Sequence, residues 1–257
     1  MSSLFLREDL DPAAVAASGI ASVTGAEAKH AVTVNRTRLG ERVSIGNGRG
    51  LIVTGPVVTA DAGELAIQAE LVENVQPATP RLVLVQALAK GGRDEMAVQA
   101  STELGVDAVI PWSAARSVSR WEGAKVAKGQ ERWASIVREA SKQSIRAWLP
   151  DVTALFSTKD LERLAATSRM LVLEPTAELA LTEWTAAELG RAGHGAGHKS
   201  ELDIVLVVGP EGGIAPNELE RLQAAGASLV RLGSTVLRTS TAGAAALSVL
   251  SAHLGRW

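Results

Sequence analysis

The residues best placed to do chemistry lie in short runs toward the C-terminal end of the chain. In "VLVVGPEGGIAPNELERL", Val205 to Leu222, a β-branched apolar run stops at Gly209-Pro210-Glu211-Gly212-Gly213, and a helix-like pattern resumes at once. Glycine tolerates positive φ and lets a ligand reach main-chain N–H and C=O groups with no Cβ in the way. A turn of this kind suits a flat ligand with polar edges. In "RLGSTVLRTSTAGAAALSVL", Arg231 to Leu250, a strand-like end passes through Leu232 and Gly233 to an apolar hook, Val236 and Leu237. A buried-looking Arg238 follows, and then Thr239-Ser240-Thr241 as the N-cap of an Ala-rich helix. A third strand end, "LVLEPTAE", closes in an unusual turn at Leu173 and Glu174.

Phosphate chemistry is a poor match for these turns. No G-x-x-x-x-G-K-[ST] occurs in the chain, and a dinucleotide fingerprint would stand early in a βαβ unit rather than near the C-terminus. Glu211 would repel a pyrophosphate; a carboxylate there fits ribose hydroxyls or a cationic ligand better. There is no cysteine to act as a thiol nucleophile and no G-x-S-x-G turn. His194 and His198 are four residues apart, but "GHGAGH" is a polar Gly-rich loop over Arg191 to Ser200 with no acidic ligand, so no metal site is expected.

Strands of a parallel sheet deliver their carboxyl ends to a shared crevice, and the pattern from Arg81 onward supplies such a sheet. "LVLVQALA", "VDAVIPW", "RMLVLEP", "DIVLVVGP" and "ASLVRLG" read as strands; "RDEMAVQASTELG", a long stretch from Ala124 to Ala147, "PNELERLQAAG" and Thr239 to Leu254 read as helices. Upstream, "RVSIGNG", "LIVTGPVVTA" and "ELAIQAELV" are short strands between Gly-rich turns, with one helical pattern from Ala26 to Asn35. The aperiodic "NVQPATPR" separates the two textures. The expected organisation is a β-rich domain over 1–75 and an α/β domain over 76–257.

Formal net charge is −2, which argues against a general polyanion binder, but the charges are not evenly spread. Lys29, Arg36, Arg38, Arg42 and Arg49 face only Glu41 along the chain, and a second run from Arg116 to Arg146 includes Arg120, Lys142 and only three acids. Two such clusters make a nucleic-acid partner worth testing. No segment approaches the roughly 18 apolar residues a membrane span needs, and the start has no signal-like pattern, so a cytoplasmic protein with no membrane association is expected.

"VGPEGGIAPNELE" and "LGSTVLRTSTA" at this spacing, preceded by "LVLVQALAKGGRDEMAVQASTELGV" and "EASKQSIRAWLP", resemble the RsmE family of SPOUT-class methyltransferases over nearly the whole chain. The resemblance implies a PUA-like β-rich RNA-binding domain followed by an α/β domain whose parallel sheet ends in a trefoil knot. It implies a homodimer that methylates N3 of a uridine in small-subunit (16S) ribosomal RNA, on naked RNA or on the assembled subunit, with S-adenosylmethionine as cofactor. The cofactor loops would then be Leu173-Glu174, Gly209-Pro210-Glu211-Gly212 and Leu232-Gly233 with Leu237 and Thr239. Arg238 is the catalytic candidate, with Arg120 or Arg146 of the basic run as others, since a cation near O2 or O4 would stabilise negative charge on the base. Arg36, Arg38, Arg116, Arg120, Lys142 and Arg146 are the candidates for RNA contacts. One departure stands out: Ser240 occupies the position of a glutamate in the family pattern, which leaves a non-catalytic RNA-binding protein with a degenerate nucleoside pocket as the alternative.

Overall fold

The computed structural model describes residues 3–190 and 202–257; the Gly-rich loop expected from Arg191 to Ser200, with His194 and His198, lies outside the described residues. The chain divides into two compact units. The first holds β1 (Leu4–Leu6), α1 (Pro12–Ser18), β2 (Ile20–Thr24), α2 (Gly25–Lys29), a π-helical turn (His30–Val34), β3 (Arg42–Gly46), β4 (Leu51–Ala60), β5 (Glu64–Gln68) and β6 (Leu71–Asn74). Their order in the sheet is β1-β3-β4-β5-β2, with β6 on β4. Alternating side chains of β4 and β5 bury Leu51, Val53, Val57, Leu65 and Ile67 with Phe5 and Ile45 in one apolar core.

Ser141–Leu149, which begins within the last turn of the long helix Ala124–Gln143, belongs to this first unit. Gly50 N–H donates to Ala147 O at 2.9 Å, Leu149 N–H to Gly48 O at 3.0 Å, and Trp148 Nε1–H to Val75 O at 2.9 Å. The helix expected to reach Ala147 stops at Gln143, and Ile145 takes a left-handed φ of 53° two residues later. Long-range main-chain pairing has overridden a local helical pattern.

The second unit holds β7 (Leu82–Ala87), α3 (Arg93–Glu103), β8 (Ala108–Trp112), α4 (Ala124–Gln143), β9 (Asp151–Val152), α5 (Thr158–Ala165), β10 (Arg169–Leu173), α6 (Leu181–Glu188), β11 (Ile204–Val208), α7 (Pro216–Ala224), β12 (Ser228–Val230) and α8 (Thr239–His253). Its strands are all parallel, in the order β12-β10-β11-β7-β8-β9. The central strands are apolar but for Gln86 in β7, because both faces are covered. Leu82, Leu84, Ile204, Leu206 and Val208 face a core with α3, α4, α6 and α8, while Val83, Val85, Val205 and Val207 face α5 and α7. The small residues of α8 serve this packing: a Cβ on Gly243 would come within 2.8 Å of Leu84.

The helix after the glycine turn starts as its sequence predicts, with Pro216 at its first position and Glu218 reaching back to Ala215 N–H at 3.3 Å. The same carboxylate, buried, accepts Ala115 N–H at 3.0 Å and the Thr158 hydroxyl at 2.6 Å. Glu218→Ala is therefore expected to lower the stability of this unit by roughly 3 kcal/mol, since three donors, two of them on buried residues, lose their acceptor. Denaturant unfolding of the two proteins side by side measures it.

Candidate active site

β12, β10 and β11 are neighbours, so the turns at their carboxyl ends emerge within two strand spacings, about 10 Å, of one another. Those turns enclose a cavity of about 410 Å³, within the range of small-ligand sites. Leu173, Glu174, Gly209, Pro210, Glu211, Leu232, Gly233, Leu237, Arg238 and Thr239 line it, so three segments far apart in sequence meet as expected.

Hydrogen bonds hold the loops in place. Thr239 Oγ1 donates to Gly209 O at 2.8 Å and accepts from Gln86 Nε2 at 2.8 Å. Gln86 is wholly buried at the end of β7 and also donates to Ala87 O at 3.1 Å. A glutamine in an apolar strand thus ties the start of α8 to the glycine turn. Glu174 N–H donates to Val230 O at 3.0 Å, joining the loops after β10 and β12, and its carboxylate accepts the Thr176 N–H and hydroxyl at 3.2 and 2.8 Å.

Glu211 fixes the turn to the entry of α3 by accepting Lys90 N–H at 3.2 Å and Arg93 Nη1–H at 2.9 Å. Burial alone would raise its carboxyl, but its own backbone N–H, the Arg93 guanidinium and Lys90 N–H outweigh that and hold it below the usual glutamate range. It is a carboxylate at neutral pH. The Arg93 side chain lines the cavity too. Gln86 and Arg93 both lie in "LVLVQALAKGGRDEMAVQASTELGV", but nothing local in that segment assigns either a role. The one sequence signal for Gln86 is a polar residue inside a strand that is otherwise apolar.

Several expectations need correction. Gly212 does not line the cavity: a Cβ there would meet Arg116 at 3.5 Å, and Gly212 O accepts from Arg116 Nη1 at 3.2 Å, so its open side faces that arginine. Arg238 is exposed rather than buried, because the hook before it points outward, with Val236 76% exposed. Its guanidinium has no carboxylate partner among the described residues, and Glu211 pairs with Arg93 instead. Arg238 itself is the N-cap position, and Thr239 opens the first turn of α8 with its hydroxyl spent on the glycine turn.

Of the basic residues, Arg36, Arg38, Arg116 and Arg120 are exposed and Arg146 is half-buried. Lys142 is a correction: it is 7% exposed, with Nζ 3.0 Å from Glu27 Oε1, so its charge is spent inside the first unit and not offered to a phosphate. Among the described residues no group of three or more His, Asp or Glu side chains is placed to hold a metal ion, and no helix is long and apolar enough to cross a membrane.

Residues 76–251 match the model of an RNA methyltransferase domain, and residues 23–70 match an RNA methyltransferase PUA domain. Ribosomal RNA small subunit methyltransferase E of Mycobacterium tuberculosis is 43% identical over 243 residues, covering 93% of this chain and 88% of the relative. The chain belongs to the ribosomal RNA small subunit methyltransferase E family. The Bacillus subtilis member is 30% identical over 90% of this chain and 89% of its own length. A methyltransferase of Legionella pneumophila, solved in complex with the bound cofactor SAM, superposes with a TM-score of 0.80 at 26% identity over 98% of both chains. The family's fold, a parallel α/β sheet after a β-rich PUA domain, is the one found.

Proposed function

We propose that the chain transfers the methyl group of S-adenosylmethionine to N3 of a uridine in 16S ribosomal RNA. The observation that carries this reading is the convergence of ten expected residues of three loops on one cavity at the carboxyl ends of adjacent parallel strands. The residues present suit the cofactor: main-chain groups at Gly209 and Leu232 for an adenosine, apolar Leu173 and Leu237 for its faces, and the Glu174 carboxylate for ribose hydroxyls or a cation. When bound, S-adenosylmethionine supplies a sulfonium methyl for direct displacement.

The chain's own residues do the rest. The Gln86–Thr239–Gly209 and Glu211–Arg93 ties hold the loops rigid, so that positioning need not be established during the reaction. Arg238, a cation on the cavity wall with no carboxylate partner among the described residues, stabilises the negative charge that spreads onto the uracil oxygens as N3 loses its proton. N3 lies on the Watson–Crick edge, so the target must be unpaired or extruded. Ser240 is buried in the first turn of α8 and is not among the cavity-lining residues, so the missing glutamate leaves the cavity wall intact.

The reading includes the trefoil threading, supported by the packing of α8 against α3, α6, β7 and β11. It includes a cytoplasmic homodimer, supported by the outward apolar hook at Val236 and Leu237. Sedimentation at micromolar concentration is expected to give a dimer, and a monomer would remove that part of the account. Arg36, Arg38 and Arg120, exposed and basic, contact RNA phosphates. Replacing each with Ala should lower the slope of log affinity against log salt by about one and leave cofactor binding alone. Lys142→Ala should instead destabilise the first unit, since it deprives the half-buried Glu27 of this partner. The test of the reaction is calorimetric titration with S-adenosylmethionine, then incorporation of its labelled methyl into small subunits lacking the modification. Binding without incorporation would favour the non-catalytic alternative.

A further inference from the structure

A second cavity, of about 460 Å³, opens beside the first and has no place in the chemistry above. The two share the entry to α3: Arg93 lines the cofactor cavity, while Lys90, Gly91, Gly92 and Asp94 line the second. Its other wall comes from Val118, Ser119, Trp121 and the α4 residues Gly129, Arg132 and Trp133.

Trp121 is held as a platform. Its indole lies against α4 at Gly129, where a Cβ would come within 2.3 Å of the ring, and it meets Trp133 edge-on at a centroid distance of 5.3 Å and 77°. The ring is half-buried, so part of its surface still faces the cavity.

The charges around it are sorted. Asp94 spends its two oxygens on Ala89 N–H at 3.2 Å and Glu95 N–H at 2.9 Å. Glu95 Oε2 accepts Arg132 Nε–H and Nη2–H at 3.2 and 2.9 Å. The Lys90 ammonium is left exposed with no carboxylate partner among the described residues. Gly91 and Gly92 sit at φ 66° and 70°, and a Cβ on either would meet nothing within 4 Å, so main-chain groups beside Lys90 are open to a close approach.

A fixed indole, an exposed lysine ammonium and a bare glycine edge together fit a flat heterocycle carrying a phosphate. We infer that this cavity holds an unpaired nucleotide of the substrate RNA flanking the one methylated, its base stacked on Trp121 and its phosphate near Lys90. Flanking rather than target follows from the separate wall, since the cavity shares none of the residues that line the cofactor site. The inference rests on the proposed RNA methylation, and it names a recognition subsite that the reaction itself does not require.

The test uses the full chain, saturated with S-adenosylmethionine, and single-stranded hexauridylate as probe. Binding should quench tryptophan fluorescence in the parent and much less in Trp121→Phe, which keeps an aromatic surface and most of the affinity. Trp121→Ala should weaken binding about 5- to 150-fold, the range for one stacked base. Val118 is 72% exposed at the rim, so Val118→Glu tests the same site without disturbing the core and should weaken binding similarly. Cofactor affinity should be unchanged in all three. Quenching that persists in Trp121→Phe, or unaltered affinity in Val118→Glu, overturns the subsite even where methyl transfer proceeds. Trp121-dependent binding in a protein that transfers no methyl group would sink the proposed reaction and leave the subsite standing.

Discussion

Arg238→Ala is expected to slow single-turnover methyl transfer about a hundredfold or more while leaving RNA affinity and its salt slope nearly unchanged. The magnitude is that of removing one preorganised group aimed at charge which develops only in the transition state. The expectation rests on position: Arg238 lines the cofactor cavity, is exposed, and has no carboxylate partner among the described residues. Its removal leaves no buried partner unsatisfied, so the fold should not suffer. Arg238→Lys should recover part of the rate, because charge without a planar fork still stabilises the base. Should Arg238→Ala lower the salt slope as the exposed arginines do, Arg238 is a phosphate contact and the catalytic assignment is wrong.

Gly233→Val is expected to weaken S-adenosylmethionine binding at least a hundredfold with little change in stability. Gly233 lines the cavity, and a Cβ there meets no protein atom within 4 Å, so the added methyls fit the fold and compete with a bound ligand for the open space. Gly212→Val is the informative contrast. Its Cβ would rest at 3.5 Å from Arg116, outside the cavity lining, so cofactor affinity should change only a few-fold. Calorimetry on the pair separates a glycine that admits the ligand from one that only shapes the turn. Equal losses in both would mean that the turn's backbone conformation, and not the cavity wall, controls binding.

Much of this site was legible because its signals are local. β-branched runs that stop at Gly-Pro-Glu-Gly-Gly and at Leu-Gly mark strand ends, and parallel topology then brings the turns together without further information. What the sequence hides is what long-range contacts decide. Gln86 is one polar residue in an apolar strand, and only the fold shows that its amide meets Thr239, 153 positions away. Glu211 could have paired with Arg238 or Arg93, and the entry turn of α3 chose the latter. Lys142 sits in a basic run that looks solvated, yet its ammonium is buried against Glu27, because Ser141–Leu149 docks on the first unit. Local charge counting has no access to such pairings. The short elements β9, α5 and α6 escaped for a related reason: each has too few residues for periodicity to register.

The central claim is that this cavity delivers a methyl group to N3 of a uridine in 16S ribosomal RNA, and one measurement addresses it most directly. Small subunits lacking the modification are incubated with the protein and S-adenosylmethionine, and their RNA is digested to nucleosides and analysed by mass spectrometry. The account predicts 3-methyluridine at one equivalent per subunit with the parent chain, and very little over the same interval with Arg238→Ala or Gly233→Val. A methylated nucleoside of another kind, or no gain of 3-methyluridine by a parent chain that binds the cofactor, would contradict it.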